Sequence, residues 1–307
     1  MWSYRIIRRL LAMAVVAGLV AGVTATPAQA ATGAHAGADT RIVEFPIPSR
    51  AQPLEIATGP DGSIWFTEDL ANRIGRLSQT GTFTEFAVPT SNSRPAAITT
   101  GPDGNIWFTE YDGHKVGRIT PAGDIMEFPV SPYSHLQGIT TGPDGNLWFT
   151  EYRANKIGTM TTAGVLTGEF TIPTRDSGPH SITSGPDGNL WFTEALKSKI
   201  GRITTAGVIT GEFRTPTAGA QPIGITVGPD GNLWVTEYEV NSIGRITLAG
   251  VVTEFVIPSS TTYPYGITTG GDGNLWFTEV LGPSMGRAGC SGSAERSHPR
   301  QGPTWPT

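Results

Sequence analysis

The stretch GPDGNLWFTE, residues 185–194, returns with few changes at six places along the chain. The tryptophans at the centres of the copies are 42, 41, 43, 43 and 42 residues apart. They are Trp65, Trp107, Trp148, Trp191, Trp234 and Trp276. A period near 42 residues is typical of the four-stranded blade of a β-propeller. The sequence therefore predicts an all-β protein, a β-propeller in which six blades can be counted.

One copy predicts the strands of a blade. A first strand is expected at 138–141, and a turn follows at 143–145, where proline, aspartate and glycine favour a reversal. The second strand, 146–150, is apolar on both faces, which predicts burial between neighbouring blades. The third and fourth strands are expected at 156–160 and 169–173, and no helical periodicity follows residue 30.

The two ends of the repeat region predict how the ring closes. Residues 42–48 match a fourth strand but precede the first complete copy, whereas the last copy lacks a fourth strand of its own. An N-terminal strand that completes the last blade would remove both exposed sheet edges. We therefore assign the propeller to 41–289. Residues 290–307 carry no repeat feature and are predicted to be a disordered tail.

The N-terminus is typical of an exported protein. Arg5, Arg8 and Arg9 precede an apolar run at 10–23, and Ala28-Gln29-Ala30 has the small-x-small pattern of a cleavage site. Residues 1–30 are predicted to be a signal peptide and 31–40 a linker, so we expect a secreted, extracellular protein. A membrane anchor is the alternative, but the apolar run is short for a span. We expect no membrane span once the signal peptide is removed.

Charge and cysteine content exclude two classes. Removal of residues 1–30 takes away three arginines and no acidic residue, so the net charge changes from −5 to −8. A nucleic-acid partner is excluded because its binding needs a basic face. Cys290 is the one cysteine, so no internal disulfide can form. We expect a monomer whose partner is a small cyclic peptide or another small molecule.

Comparison of the copies separates recurring residues from varying ones. A glutamate ends every tryptophan strand, and a carboxylate repeated six times is more typical of architecture than of catalysis. The residue that precedes the first strand varies most, at the point where a propeller channel opens. These residues are Leu54, Ala96, Gln137, His180, Ile223 and Tyr265.

His180 is the candidate catalytic residue among them, because only its side chain has an ordinary pKa suited to proton transfer near neutrality. A structural histidine is the alternative. Gln137, Tyr265 and Ile223 are further candidates at the channel mouth. His35, His114, His135 and His298 are weaker candidates, and the sequence contains no Ser-His-Asp order, phosphate loop or clustered metal-ligand spacing.

The units PHSITSGPDGNLWFTE, NKIGTMTTAG and NSIGRITLAG resemble the virginiamycin B lyase family, also called streptogramin B lyases. The resemblance covers about residues 41–287. WD40 repeats fit less well, since their Gly-His and Trp-Asp signatures are absent. The resemblance implies a seven-bladed propeller that confers antibiotic resistance by opening cyclic depsipeptides through C–O elimination with Mg²⁺.

The resemblance also assigns residues. The family places its proton-abstracting histidine in Pro-His-x-Ile-Thr, which Pro179 to Thr183 match, so His180 is implied as the base. The carboxylate that binds the metal ion in the family maps onto Glu194. The chain departs from the family pattern at Gln137 and Ile223, which replace a second histidine, and at Gly178, which replaces a glutamate.

Two other functions stay open beside a C–O lyase. One is a non-catalytic propeller that binds a peptide, a glycan or a partner in the cell envelope. The other is a lactonase-like hydrolase, since some six-bladed propellers hold a metal ion in the central channel.

Overall fold

A computed structural model describes residue 47 and residues 53–258, 262–281, 285–288 and 294–296. The predicted signal peptide, the linker and all of 42–48 except Ile47 lie outside the described residues. Among the residues that are described, no helix has the length and apolar character needed to cross a membrane.

The described residues form 24 strands and a single turn of 3-10 helix, Ala195–Lys197. The strands are β1 Pro53–Thr58, β2 Ile64–Glu68, β3 Arg73–Leu77, β4 Phe83–Ala87, β5 Pro95–Thr100, β6 Ile106–Glu110, β7 Lys115–Ile119, β8 Ile125–Pro129, β9 Leu136–Thr141, β10 Leu147–Glu151, β11 Lys156–Met160, β12 Leu166–Thr171, β13 Pro179–Ser184, β14 Leu190–Glu194, β15 Lys199–Ile203, β16 Ile209–Arg214, β17 Pro222–Val227, β18 Leu233–Glu237, β19 Ser242–Ile246, β20 Val252–Val256, β21 Pro264–Thr269, β22 Leu275–Glu279, β23 Met285–Ala288 and β24 Ala294–Arg296.

These strands form six antiparallel four-stranded sheets, each in chain order. The six-bladed, all-β fold predicted from the sequence is confirmed. In the blade analysed above, the first three strands lie close to their predicted positions, whereas the fourth begins three residues earlier, at Leu166. The first strands of consecutive blades pack side by side, from β1 through β5, β9, β13 and β17 to β21. We call the space that these six inner strands enclose the central space.

The recurring stretch folds as it does because one aspartate organises its turn. Oδ1 of Asp187 accepts hydrogen bonds from the backbone N–H of Asn189 at 3.2 Å and from Nε1 of Trp191 at 3.1 Å. Gly188 adopts φ +74°, which glycine tolerates without strain. Gly185 lets the indole approach closely, since a Cβ there would lie 2.5 Å from Cδ1 of Trp191. The turn thus fixes the tryptophan at the start of its strand.

The tryptophan and its neighbours join one blade to the next. Trp148 is fully buried and stacks on Phe170 of its own blade, with ring centroids 5.8 Å apart. It shares an apolar cluster with Ile182, Leu190 and Phe192 of the following blade. Equivalent clusters lie at the other described junctions between consecutive blades. Burial of this apolar area is the main stabilising contribution at each junction.

The first and last described blades each lack one neighbour. Strands β21 and β1 do not pack against each other in the way that the other consecutive inner strands do. Ile56 of β1 is 44 % exposed, whereas its counterparts in the next four blades are 5–7 % exposed. Trp276 of the last blade is half-buried, unlike the other five tryptophans of the repeat. Within the described residues, therefore, the series of stacked blades is interrupted at this point.

The last blade differs from its sequence-based prediction. Its outer strand is Ala294–Arg296, which pairs with β23 so that Gly286 lies opposite Arg296. This corrects the expectation that 42–48 lies beside β23. It also places a short strand inside the segment 290–307 that was predicted to be disordered. The sequence pattern does not predict this strand, because three residues are too few to show an alternating pattern.

Ile139 is buried and Ile56 is exposed, so replacement of these two side chains should have unequal effects on stability. Ile139→Ala should lower the free energy of unfolding by about 2–5 kcal/mol, because it leaves a cavity in a closed apolar cluster. Ile56→Ala is the matched control at the exposed end of the series. It should cost about 1 kcal/mol or less. Denaturant unfolding followed by tryptophan fluorescence measures both, and equal losses would contradict the interruption.

Candidate functional site

The backbone at five of the six variable residues is fixed by a threonine of the preceding blade. Thr150 donates its hydroxyl to the carbonyl oxygen of His180 at 2.8 Å and accepts the backbone N–H of Gly138 at 2.8 Å. The same donation reaches the carbonyl oxygens of Ala96, Gln137, Ile223 and Tyr265. The side chain at this position can therefore vary without loss of the junction between blades.

Each inner strand is also irregular at this position. In β13 the regular pairing with β14 shifts between Pro179 and Ile182, and the corresponding shift recurs in the other inner strands. A bulge of this kind redirects a side chain out of the regular alternation. His180 lies inside the shifted segment, so the irregularity orients the candidate base.

His180 contacts Tyr265 rather than a residue of its own blade. Its Nε2 lies 3.4 Å from Oη of Tyr265, and the two rings meet edge to face at 89° with centroids 5.8 Å apart. The two residues belong to β13 and β21, and β17 lies between those inner strands in the series. They can meet only across the central space. The sequence indicated four residues for the channel mouth, and the structure brings two of them, His180 and Tyr265, together.

The surroundings keep this pair neutral at neutral pH. Burial lowers the pKa of the His180 imidazole to about 4, although the side chain keeps partial contact with solvent. Burial is also the main cause that raises the pKa of the Tyr265 hydroxyl, with a smaller contribution from the Glu55 carboxylate. A neutral imidazole is the form that can accept a proton.

The other two channel-mouth candidates are placed less favourably. Ile223 is 6 % exposed, so its side chain is part of the packed protein. Gln137 is half-buried, and its carbonyl oxygen accepts a hydrogen bond from Thr109.

Glu55 is a residue that the sequence analysis missed. It follows Leu54 directly, and its charge acts on Tyr265 from the first blade. Burial raises the pKa of its carboxyl group to about 7, although the side chain keeps contact with solvent. Its counterparts are Ala97, Gly138, Ser181, Gly224 and Gly266. A carboxylate where the other copies have small residues was a signal available in the sequence.

Glu194 lies inside its blade. It is fully buried, and its backbone lies opposite Pro179 on one side and Lys199 on the other. Burial first, and the neighbouring Glu212 carboxylate second, raise the pKa of Glu194 to about 8. It has no described contact with His180.

The described residues do not fit a magnesium site. Mg²⁺ requires several oxygen ligands in octahedral geometry. No group of three His, Cys, Asp or Glu side chains that could hold a metal ion occurs in the described part of the chain. Glu194 is buried beside a glutamate of the fourth strand of its blade and has a raised pKa, and the same holds for Glu110, Glu151 and Glu237. The feature therefore belongs to the repeat and does not single out one metal site.

Gly178 is also explained by its surroundings. It adopts φ +60°, and a Cβ there would lie 2.7 Å from Cγ of Leu196 and 3.1 Å from Cε2 of Tyr152. A longer side chain at this position would require Leu196 to move. The family glutamate that the sequence lacks here would therefore not fit without rearrangement.

A second group of titratable residues lies at the junction of the second and third blades. Nδ1 of His114 accepts the backbone N–H of His135 at 3.3 Å, and Nδ1 of His135 lies 3.4 Å from Oδ1 of Asp112. Burial, followed by the neighbouring His114, lowers the pKa of His135. These two histidines thus have partners within the junction between the blades. His35 and His298 lie outside the described residues.

Fold and site together define a β-propeller of four-stranded blades with a neutral histidine directed into the central space. The family model of the virginiamycin B lyase family matches residues 12–135 and 130–299. The chain belongs to this family.

Solved structures agree with this assignment. Virginiamycin B lyase from Staphylococcus aureus is 41 % identical, with a TM-score of 0.77 over 81 % of this chain and 85 % of that one. A catalytically inactive histidine-to-alanine variant of that enzyme, solved with quinupristin, is 42 % identical, with a TM-score of 0.77 over 80 % and 83 % of the two chains. A streptogramin B lyase structure is 40 % identical, with a TM-score of 0.76 over 84 % and 83 %. None of the curated proteins compared with the chain matches it.

The buried glutamates predict an unusual dependence of stability on pH. The pKa of Glu194 is raised in the folded protein to about 8, so the folded state retains a proton that the unfolded state loses above its ordinary pKa of 4.5. The resulting stabilisation is complete below pH 4.5 and declines as pH rises towards 8, by up to about 1.4 kcal/mol per pH unit. Glu194→Gln should make the decline less steep.

Denaturant unfolding at pH 5, 6, 7 and 8 measures this slope. Glu239→Gln is the matched control, because Glu239 is an exposed carboxylate of the next blade. The control should leave the slope unchanged. If Glu194→Gln also left it unchanged, or made it steeper, Glu194 would be ionised in the folded protein.

Proposed function

We propose that this protein opens cyclic depsipeptides of the streptogramin B type by carbon–oxygen elimination. The observation that carries the proposal is a neutral His180 directed into the central space of a chain that belongs to the lyase family. The relative solved with quinupristin supports a small cyclic peptide as the ligand. An exported form, cleaved after Ala30, is part of the proposal.

The chemistry follows from the groups present. A neutral nitrogen of His180 takes the proton α to a carbonyl in the ring of the depsipeptide. The electron pair of that C–H bond forms a carbon–carbon double bond, the ester C–O bond breaks, and the carboxylate leaves. Water is neither needed nor added.

Mass spectrometry of the product tests the reaction. Purified protein with quinupristin should give a linear product of unchanged mass but altered retention and fragmentation. Addition of one water would show the hydrolase alternative. An intact ring with measurable binding would show a non-catalytic binding protein. The buried position of Glu194, which keeps this carboxyl group away from a ligand, is the observation that favours this alternative. Parallel assays with MgCl2 and with EDTA are informative, because the resemblance, rather than the described residues, predicts that ion.

His180→Gln should reduce the rate of ring opening by about 100- to 10,000-fold, because it removes the base. Its midpoint of thermal unfolding should change little. His114→Gln is the control histidine outside the central space and should retain the rate. A large loss of thermal stability in His180→Gln, with normal activity of the folded fraction, would make His180 a structural residue.

The pH dependence of the wild type gives an independent check. Because the pKa of His180 is lowered to about 4, protonation of the base should reduce kcat/KM only as pH approaches 4. Glu55→Gln should keep this acid limb, because it removes only the Glu55 carboxyl group, whose pKa burial raises to about 7. An acid limb near pH 6.5 would indicate a base in an ordinary aqueous environment.

A further inference from the structure

The contact between His180 and Tyr265 is built from both sides. The carbonyl oxygen of Tyr265 accepts the hydroxyl of Thr236 at 2.7 Å, as that of His180 accepts Thr150 at 2.8 Å. The preceding inner strands approach closely in both cases. A Cβ at Gly138 would lie 2.8 Å from the carbonyl oxygen of His180, and one at Gly224 would lie 2.5 Å from that of Tyr265. Two fixed backbones therefore direct these side chains towards each other.

The ring of Tyr265 is held by further aromatic packing. Tyr238 meets it edge to face at 79° with centroids 6.4 Å apart, and Tyr238 in turn packs on Tyr263 at 4.8 Å. This packing restricts rotation of Tyr265, so its hydroxyl stays beside Nε2 of His180. At 3.4 Å the hydrogen bond is long, as bonds between catalytic groups often are before a substrate is bound.

The charged and titratable groups around the pair decide how it shares its protons. Glu55, Tyr238, Asp69 and Tyr152 all act on Tyr265 and favour its protonated hydroxyl. His180 is neutral at pH 7, so its ring carries one N–H and one lone pair. The Tyr265 hydroxyl can donate or accept a hydrogen bond, and a base needs a free lone pair, which selects acceptance by Tyr265. If Tyr265 donated to Nε2, the proton would lie on Nδ1 and no lone pair would be free.

We propose that Tyr265 is a positioning residue: its Oη accepts the Nε2–H of His180 and leaves the lone pair on Nδ1 to take the substrate proton. This inference rests on the proposed function, since it assigns His180 the part of the base. Tyr265 holds the ring and its tautomer, in the way that a partner orients the histidine of other acid–base pairs. It also stabilises the imidazolium that forms, because a charged N–H is the stronger donor.

The tautomer of His180 in the wild-type protein is the first test, and it needs no substrate. Nitrogen-15 NMR at pH 7 distinguishes a protonated ring nitrogen from one with a lone pair, and His180→Gln identifies the His180 signals. We expect the proton on Nε2. A proton on Nδ1 would overturn the proposal, since Tyr265 would then be the donor.

Tyr265→Phe is the second test, because it removes the hydroxyl and keeps the ring. If Oη accepts, the imidazolium loses a partner, so the pKa of His180 measured by NMR titration should fall further. A rise, or no change, would overturn the proposal. Tyr263→Phe is the matched control: it removes a hydroxyl two residues away, on a ring with no described contact with His180, and should leave the titration unchanged.

Kinetics separate this inference from the proposed function. In Tyr265→Phe, kcat for ring opening should fall about 10- to 100-fold with little change in KM, because orientation of the base is lost rather than substrate binding. An unchanged kcat would overturn the positioning role. If wild-type protein opens no ring while both NMR results are as expected, the hydrogen bond stands and the lyase function fails.

Discussion

The fold depends on one constraint, which is that every blade is a sheet with two apolar faces and needs a neighbour on each. The buried tryptophan meets this requirement on one side, because it packs against the isoleucine, leucine and phenylalanine of the following blade. The five described junctions of this kind bend the chain around the central space and bring distant residues together. Ile56 is exposed and Trp276 is only half-buried, because no described blade packs against them.

The sequence predicted the repeating part of the fold well, because the residues that form the turn and the second strand lie close together in every copy. Asp187, Gly188 and Trp191 specify turn and strand within a few residues, and six copies make the signal unmistakable. The ends could not be predicted in this way. Ala294–Arg296 pairs through backbone groups that any sequence supplies, and its place depends on β23 rather than on a local pattern.

The site was predicted in part, for a related reason. His180 and Tyr265 stood out because they break the repeat, and the structure joins them. They lie on two blades that are separated by a third, and a comparison of neighbouring copies cannot reveal such a contact. Glu194 shows the opposite difficulty. Its resemblance to a metal-binding residue came from its position in the motif, but burial beside Glu212 is set by packing of the whole blade.

The threonine that bridges neighbouring inner strands has a consequence for how such a protein can change. Its hydroxyl holds only main-chain atoms, the N–H of one blade and the carbonyl of the next. Side chains beside the central space are thus uncoupled from assembly of the ring. Where the side chain faces the central space, as at His180 and Tyr265, its exchange leaves the hydrogen bonds of the junction in place. The same propeller can therefore gain, lose or change an activity through point substitutions at this position while its fold is kept.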